Sequence, residues 1–124
     1  AWNTMVIGMG RLGRAVVSYP GFAPEGFNIV AAFDADDSIV GETVSGLDIQ
    51  SISDLAKTVK EKDIKIGIVT VPIERAQEVI DTLVDAGIKS ILNYAPLSPK
   101  VPEGVTVRGI DPVLSLQSMT YYIS

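Results

Sequence analysis

Apolar residues along the chain fall into short runs separated by segments with helical spacing. Five of these runs are predicted to be strands. The first includes Val6 and Ile7, and the other four cover residues 27–33, 64–71, 88–92 and 105–107. The runs FNIVAAF and IKIGIVTV are nearly continuous, as is typical of parallel strands that are covered on both faces.

Three segments between the strands have the spacing of helices. The clearest covers residues 73–86, where apolar and acidic side chains occupy opposite faces. A short helix over residues 14–18 precedes a Pro-Gly pair that stops it. Another helix begins at a capping serine, either Ser51 or Ser53, and runs through Lys62.

The predicted order of elements is β-α-β-α-β-α-β-β-α, with the last helix beginning at Asp111. Residues 36–52 have poor periodicity, and no strand is predicted within them. Strands that alternate with helices imply parallel neighbours joined by right-handed crossovers. The sequence therefore predicts an α/β protein with a Rossmann-type, doubly wound, mainly parallel sheet, and 124 residues fit a single domain.

Composition and charge exclude several classes of function. With 47% apolar and 20% charged residues the chain has the balance of a folded protein, and no apolar run is long enough to cross a membrane. The formal charge of −5 argues against direct binding to DNA phosphates, which requires clustered Lys and Arg. Cysteine and histidine are both absent, so no metal site is predicted and the commonest proton-transfer side chain is missing.

A glycine-rich sequence, GMGRLG at residues 8–13, lies between the first strand and the first helix. Gly8 would permit a tight turn, Gly10 would let a pyrophosphate approach the backbone, and Gly13 would let the helix pack closely on the strand. The phosphates would bind the free N–H groups at the helix N-terminus. The alternative is a purely architectural turn, and Arg11 either contacts a phosphate or is a solvated surface residue.

Asp34 lies at the carboxyl end of the second strand. A carboxylate at this position can accept hydrogen bonds from the adenosine ribose hydroxyls and would repel a 2′-phosphate, which favours NAD over NADP. Asp36 and Asp37 add negative charge nearby. The alternative is that Asp34 only caps the next turn.

Two further motifs, TVP at residues 70–72 and NYAP at residues 93–96, also follow strands. In doubly wound sheets ligands bind outside the carboxyl ends of the strands, so both motifs are expected to line the nicotinamide half of the site. Alternatively, Pro72 and Pro96 are plain strand terminators.

Four segments in order resemble the Rex repressors: WNTMVIGMGRLGRAVVSYPGF, FDADD, VTVPIERAQEVIDTLVDAGIKSILNYAP and VPEGVTVRGIDPVLSLQ. The resemblance covers essentially the whole chain. The YPGF after the first helix, and TVP followed by NYAP where the family usually shows NFAP, are more specific than the glycine motif.

The resemblance implies a non-enzymatic, NAD(H)-binding part of a cytoplasmic, homodimeric repressor that senses the NADH/NAD⁺ ratio, with NADH binding releasing DNA. It implies that operator DNA is bound only through an N-terminal winged-helix domain that this chain does not include. Residues 1–110 would form the Rossmann NAD(H)-binding domain. Residues 111–124 would form a helix exchanged between subunits, or alternatively an ordinary helix packed on its own sheet. Pro112 departs from the apolar or aromatic residue that is frequent there in the family.

No catalytic residue is predicted, and the resemblance implies that Asp111 helps link the nicotinamide site to the dimer. The predicted cofactor-binding residues are Gly8, Met9, Gly10, Arg11, Leu12, Gly13, Asp34, Ala35, Thr70, Val71, Pro72, Asn93, Tyr94, Ala95, Pro96 and Asp111. A dry, mostly apolar pocket would favour the neutral reduced nicotinamide over the positively charged oxidised ring.

Two other classes of function remain as alternatives. The chain could be the nucleotide domain of an NAD-dependent dehydrogenase, although Lys65 and Lys89 lie at strand beginnings, the wrong edge of the sheet for catalysis. It could also be a CoA-binding module such as that of succinyl-CoA synthetase. Asp34 argues against this second alternative, because it suits a free ribose diol better than the phosphorylated ribose of CoA.

Overall fold

The computed structural model describes residues 1–110, which form one seven-stranded sheet with helices on both faces. The strands are β1 Trp2–Ile7, β2 Phe27–Asp34, β3 Thr43–Val44, β4 Leu47–Ser51, β5 Ile66–Val69, β6 Ser90–Asn93 and β7 Thr106–Gly109. The helices are α1 Arg11–Ser18, α2 Leu55–Glu61 and α3 Ile73–Asp85, with 3₁₀ turns at Ala23–Glu25 and Ile52–Asp54. The predicted final helix, including Asp111, lies outside the described residues.

The strands are arranged in the order β3-β4-β2-β1-β5-β6-β7, and all neighbours are parallel except β3 and β4. The prediction of a doubly wound, mainly parallel α/β sheet is therefore confirmed. The chain adds β2 on one side of β1 and later β5 on the other. In open α/β sheets this reversal leaves a crevice at the carboxyl ends of the strands, where ligands bind.

Both faces of the sheet are buried, which explains the continuous apolar runs in the sequence. Side chains alternate along a strand, so Met5 and Ile7 of β1 lie in one apolar cluster and Val6 lies in the other. The first cluster is completed by helices α2 and α3, with Leu55, Val59, Val79, Ile80 and Leu83. The second is completed by α1, with Val16 and Val17.

Residues 36–52 contain a hairpin, so the prediction of no strand there was wrong. β3 and β4 are joined by Ser45 and Gly46, whose φ angles of 50° and 80° suit a two-residue hairpin turn. β4 also pairs in parallel with the end of β2, at Ala32 to Asp34. Local periodicity could not reveal this hairpin, because β3 has two residues and Ile49 is the one buried side chain of β4.

Several element boundaries differ from the prediction at the edge where the strands end, and two of them lie at the cleft described below. Helix α1 begins at Arg11, not at residue 14, so Gly13 lies inside it. β5 ends at Val69, and Thr70 begins the turn that follows. No helix within residues 1–110 is long and apolar enough to cross a membrane.

Candidate cofactor site

A cleft of about 430 Å³ lies at the carboxyl edge of the sheet, where the chain leaves β1, β2, β4 and β5. Its volume is in the usual range for small-molecule sites. The described residues that line it are Gly8, Gly10, Arg11, Leu12, Asp34, Ala35, Ile52, Thr70, Val71, Pro72, Arg75 and Val79. The structure therefore brings together the glycine-rich turn, the end of β2 and the TVP motif, as expected from the sequence.

The glycine-rich turn depends on two glycines for its shape. Gly8 has a φ of 104°, and a Cβ on it would lie 2.8 Å from the backbone nitrogen of Val71. A Cβ on Gly13 would overlap the carbonyl oxygen of Gly8 and lie 3.0 Å from Thr70 Oγ1. The turn and packing roles predicted for Gly8 and Gly13 are thus confirmed.

Gly10 differs from these two glycines, because a Cβ on it would meet no described atom within 4 Å. Its backbone borders the open cleft and precedes α1, where Arg14 N donates to the Gly10 carbonyl at 3.0 Å. The amides of Arg11, Leu12 and Gly13 come before this first helical hydrogen bond and have no carbonyl partner within the helix. No acidic side chain lies in the first turn of α1, so this end of the helix suits an anion.

Asp34 is hydrogen-bonded directly to the glycine-rich turn. Its Oδ2 accepts a hydrogen bond from Met9 N at 2.6 Å, and its Oδ1 accepts one from Asp36 N at 2.8 Å. Asp34 therefore caps the turn after β2, as the alternative interpretation required, and also lines the cleft. Each carboxylate oxygen can accept a second hydrogen bond, so the capping role leaves Asp34 able to bind a ribose hydroxyl.

Thr70 connects the end of β5 to the glycine-rich turn. Its hydroxyl oxygen lies 2.7 Å from the carbonyl oxygen of Gly8 and 3.0 Å from that of Ile7, and its N–H donates to Ile7 O at 2.9 Å. The threonine hydroxyl thus fixes the carbonyls of the turn, and it does so from the opposite side of β1 to Asp34.

The NYAP motif has a different environment. The buried Asn93 side chain donates to Ala95 O and accepts from Ala95 N, both at 3.0 Å, and Tyr94 N donates to Val69 O. None of residues 93–96 is among the described residues that line the cleft, so their contact with a cofactor stays a prediction. The Met9 side chain is buried in the apolar cluster beside α1 and is not among the described residues that line the cleft, so it packs in the core beneath the turn.

Three residues that the sequence analysis missed also line the cleft: Ile52, Arg75 and Val79. Arg75 and Val79 lie in the first half of α3, where helical spacing indicated only core and surface faces. The position of Arg75 in the first turn of the helix after β5 was the one available signal. Arg75 Nε forms an ion pair with Glu78 Oε2 at 3.3 Å, so Arg11 is the lining guanidinium that is left to face a pyrophosphate beside the carboxylate of Asp34.

The loop after Asp34 carries additional negative charge. Asp36 Oδ1 accepts hydrogen bonds from the hydroxyl of Ser38 at 2.6 Å and from Ser38 N at 2.9 Å. These bonds, the hydroxyl one foremost, lower the pKa of Asp36 below its ordinary value of 3.8, so the carboxylate is ionised at neutral pH. Asp36 and Asp34 together make the end of β2 unfavourable for a ribose phosphate.

Comparisons with known proteins agree with this geometry. The family model described as "CoA binding domain" matches residues 1–97. The redox-sensing transcriptional repressor Rex of Chloroflexus aurantiacus is 48% identical over 123 residues, which are 99% of this chain and 58% of the relative. The chain thus spans little more than half the length of that relative.

Solved structures of RSP, a Rex-family repressor, have the same fold at 33% identity. The structure of RSP in complex with β-NADH has a TM-score of 0.90 over 98% of this chain and 59% of its own. The structure with β-NAD⁺ and operator DNA has a TM-score of 0.87 over 98% of this chain and 56% of its own. The resemblance to the Rex repressors is therefore confirmed, and the chain belongs to the CoA binding domain family.

Proposed function

We propose that this chain is the NAD(H)-binding, redox-sensing and dimerisation domain of a transcriptional repressor that responds to the NADH/NAD⁺ ratio. NADH binding to this domain releases the repressor from DNA. The observation that carries the proposal is the hydrogen bond from Met9 N to the Asp34 carboxylate, which joins the glycine-rich turn to the acidic residue at the end of β2 in one cleft. Relatives that match nearly the whole chain are named as redox-sensing repressors.

The residues of the cleft fit an unphosphorylated dinucleotide. The open space at Gly10 and the amides that begin α1 would hold the pyrophosphate, with Arg11 as a counter-charge. Asp34 would accept hydrogen bonds from the adenosine ribose. The predicted cofactor-binding set, including residues 93–96 and Asp111, belongs to this proposal.

Redox sensing requires unequal affinity for the two forms of the cofactor. The oxidised nicotinamide carries a positive charge and the reduced ring is neutral, so a dry, mostly apolar pocket favours NADH. The cofactor then shifts the dimer between two arrangements only to the extent that it binds one of them more tightly. We propose a homodimer in which residues 111–124 are exchanged, with operator DNA bound through a separate N-terminal domain and a cytoplasmic location.

The cleft lacks a group for acid-base catalysis among the residues that the structure describes. Its ionisable residues there are Arg11, Arg75 and Asp34. Arginine does not give up its proton in proteins, and in this proposal the Asp34 carboxylate lies at the adenosine ribose, not at the nicotinamide where a dehydrogenase needs its acid or base. This arrangement favours a sensor that binds the cofactor without altering it over the nucleotide domain of a dehydrogenase.

The name of the matching family makes CoA the ligand to test against NADH. Calorimetry on the 124-residue chain should give tighter binding of NADH than of NAD⁺, with NADPH and CoA weaker than NADH. A tenfold preference corresponds to about 1.4 kcal/mol. Equal affinities for NADH and NAD⁺ would refute the proposal of redox sensing. Tighter binding of CoA than of NADH would refute the proposal that NAD(H) is the ligand of this domain.

A further inference from the structure

Arg14, the fourth residue of α1, contacts both the glycine-rich turn and the hairpin β3–β4. Its Nε donates to the carbonyl oxygen of Met9 at 2.9 Å, and its Nη2 forms an ion pair with Glu42 Oε1 at 3.0 Å. Glu42 immediately precedes β3. The Ser18 and Ser45 hydroxyls, 2.8 Å apart, join the same helix to the turn of the hairpin.

The carbonyl that Arg14 binds belongs to the peptide group between Met9 and Gly10. In a planar trans peptide the C=O and N–H groups point in opposite directions. Holding the Met9 carbonyl toward Arg14 therefore turns the Gly10 N–H away from Arg14. Gly10 lines the cleft and Arg14 is not among its described lining residues, so this peptide group links Arg14 to the cleft.

Met9 is also fixed at its other end. Its N–H donates to Asp34, and its side chain is buried in the cluster beside α1. The amide and the side chain of Met9 are thus held in place, and the hydrogen bond from Arg14 also fixes the orientation of the peptide group that follows.

We propose that Arg14 is a positioning residue for the phosphate-binding turn and that Glu42 holds Arg14 in place, so that the hairpin is coupled to cofactor affinity. This inference rests on the proposed function, in which the turn binds the cofactor pyrophosphate. The guanidinium is neutralised by Glu42, so it acts by orienting the Gly10 amide and not as a direct phosphate ligand.

The test compares Arg14→Gln, Glu42→Gln and the double variant with Glu61→Gln, which removes the surface ion pair of Glu61 with Lys57 on α2. Loss of one oriented hydrogen bond predicts that Arg14→Gln weakens NADH binding roughly five- to tenfold. Glu42→Gln should weaken it roughly two- to threefold and have no further effect once Arg14 is replaced. Glu61→Gln should leave the affinity unchanged.

An NMR measurement without cofactor separates positioning from a purely structural role. The amide resonance of Gly10 should shift in Arg14→Gln and stay in place in Glu61→Gln. An unmoved Gly10 resonance, or NADH affinity within twofold of the unaltered chain in Arg14→Gln, would overturn the proposal. Should Arg14→Gln fail to fold, Glu42→Gln decides, and an unchanged affinity in that variant is equally contradictory.

The outcomes also separate this inference from the proposed function. If the unaltered chain does not bind NADH, the proposed function fails, whereas the Gly10 resonance still tests whether Arg14 orients the turn. If the unaltered chain binds NADH and the Arg14 and Glu42 variants bind equally well, only the positioning role fails.

Discussion

Replacing Gly13 by alanine should destabilise the domain even though alanine is the better helix former. The new Cβ would overlap the Gly8 carbonyl oxygen, lie 2.8 Å from the carbonyl carbon and 3.0 Å from Thr70 Oγ1. These neighbours are mostly backbone, so relief requires α1 to move away from β1. Overpacking of this kind costs about 1–3 kcal/mol, against roughly 1 kcal/mol gained from helix propensity. Because the clash is with backbone, we expect a net loss of about 2 kcal/mol.

Thermal unfolding followed by circular dichroism measures this loss. A net loss of about 2 kcal/mol should lower the melting temperature by roughly 6–10 °C in a domain of this size. Gly10→Ala is the matched control, because its Cβ enters open space at a permitted φ of −75°. That variant should cost less than about 1 kcal/mol yet weaken NADH binding at least roughly tenfold by blocking the backbone. An unchanged melting temperature for Gly13→Ala would refute the packing role.

Three further substitutions test the contacts around the cleft. Asp34→Asn places an NH₂ group against one backbone N–H, so it should cost about 1–3 kcal/mol and reduce the preference for NADH over NADPH in calorimetry. Thr70→Val removes the hydroxyl bond to the Gly8 carbonyl and should lower the free energy of unfolding by about 1 kcal/mol in urea titrations. Ser38→Ala should raise the pKa of Asp36 toward 3.8 in a carboxyl NMR titration. Because a lowered pKa contributes stability that is lost as the pH falls through it, the variant should also lose less stability between neutral and acidic pH.

The meeting of the glycine-rich turn with Asp34 could be predicted from the sequence, because both lie at the ends of strands that must be neighbours. Parallel pairing of β1 with β2 then brings the carboxyl ends together, and Met9 N lies against Asp34. Strand and helix types were also predictable wherever the apolar pattern was long, as in α3. The apolar pattern, the glycine-rich sequence and the aspartate can each be recognised locally. The rule that parallel strands end at the same edge of the sheet then brings them together.

Contacts made between distant segments could not be predicted in the same way. β4 owes its strand conformation to pairing with β2, and Arg75 lines the cleft because α3 packs beside β5. The NYAP motif contains a contact that the sequence pattern did not indicate. The Asn93 side chain hydrogen-bonds to Ala95 within the motif, and contact of these residues with a cofactor stays a prediction.

A crystal structure of the 124-residue chain with NADH tests most directly whether the glycine-rich turn and Asp34 bind the same cofactor molecule. The predicted result is a pyrophosphate on the amides at the start of α1, with an adenosine ribose hydroxyl within about 2.6–3.2 Å of the Asp34 carboxylate. A cofactor bound with its adenosine ribose away from Asp34, or outside the cleft, would contradict the proposed function.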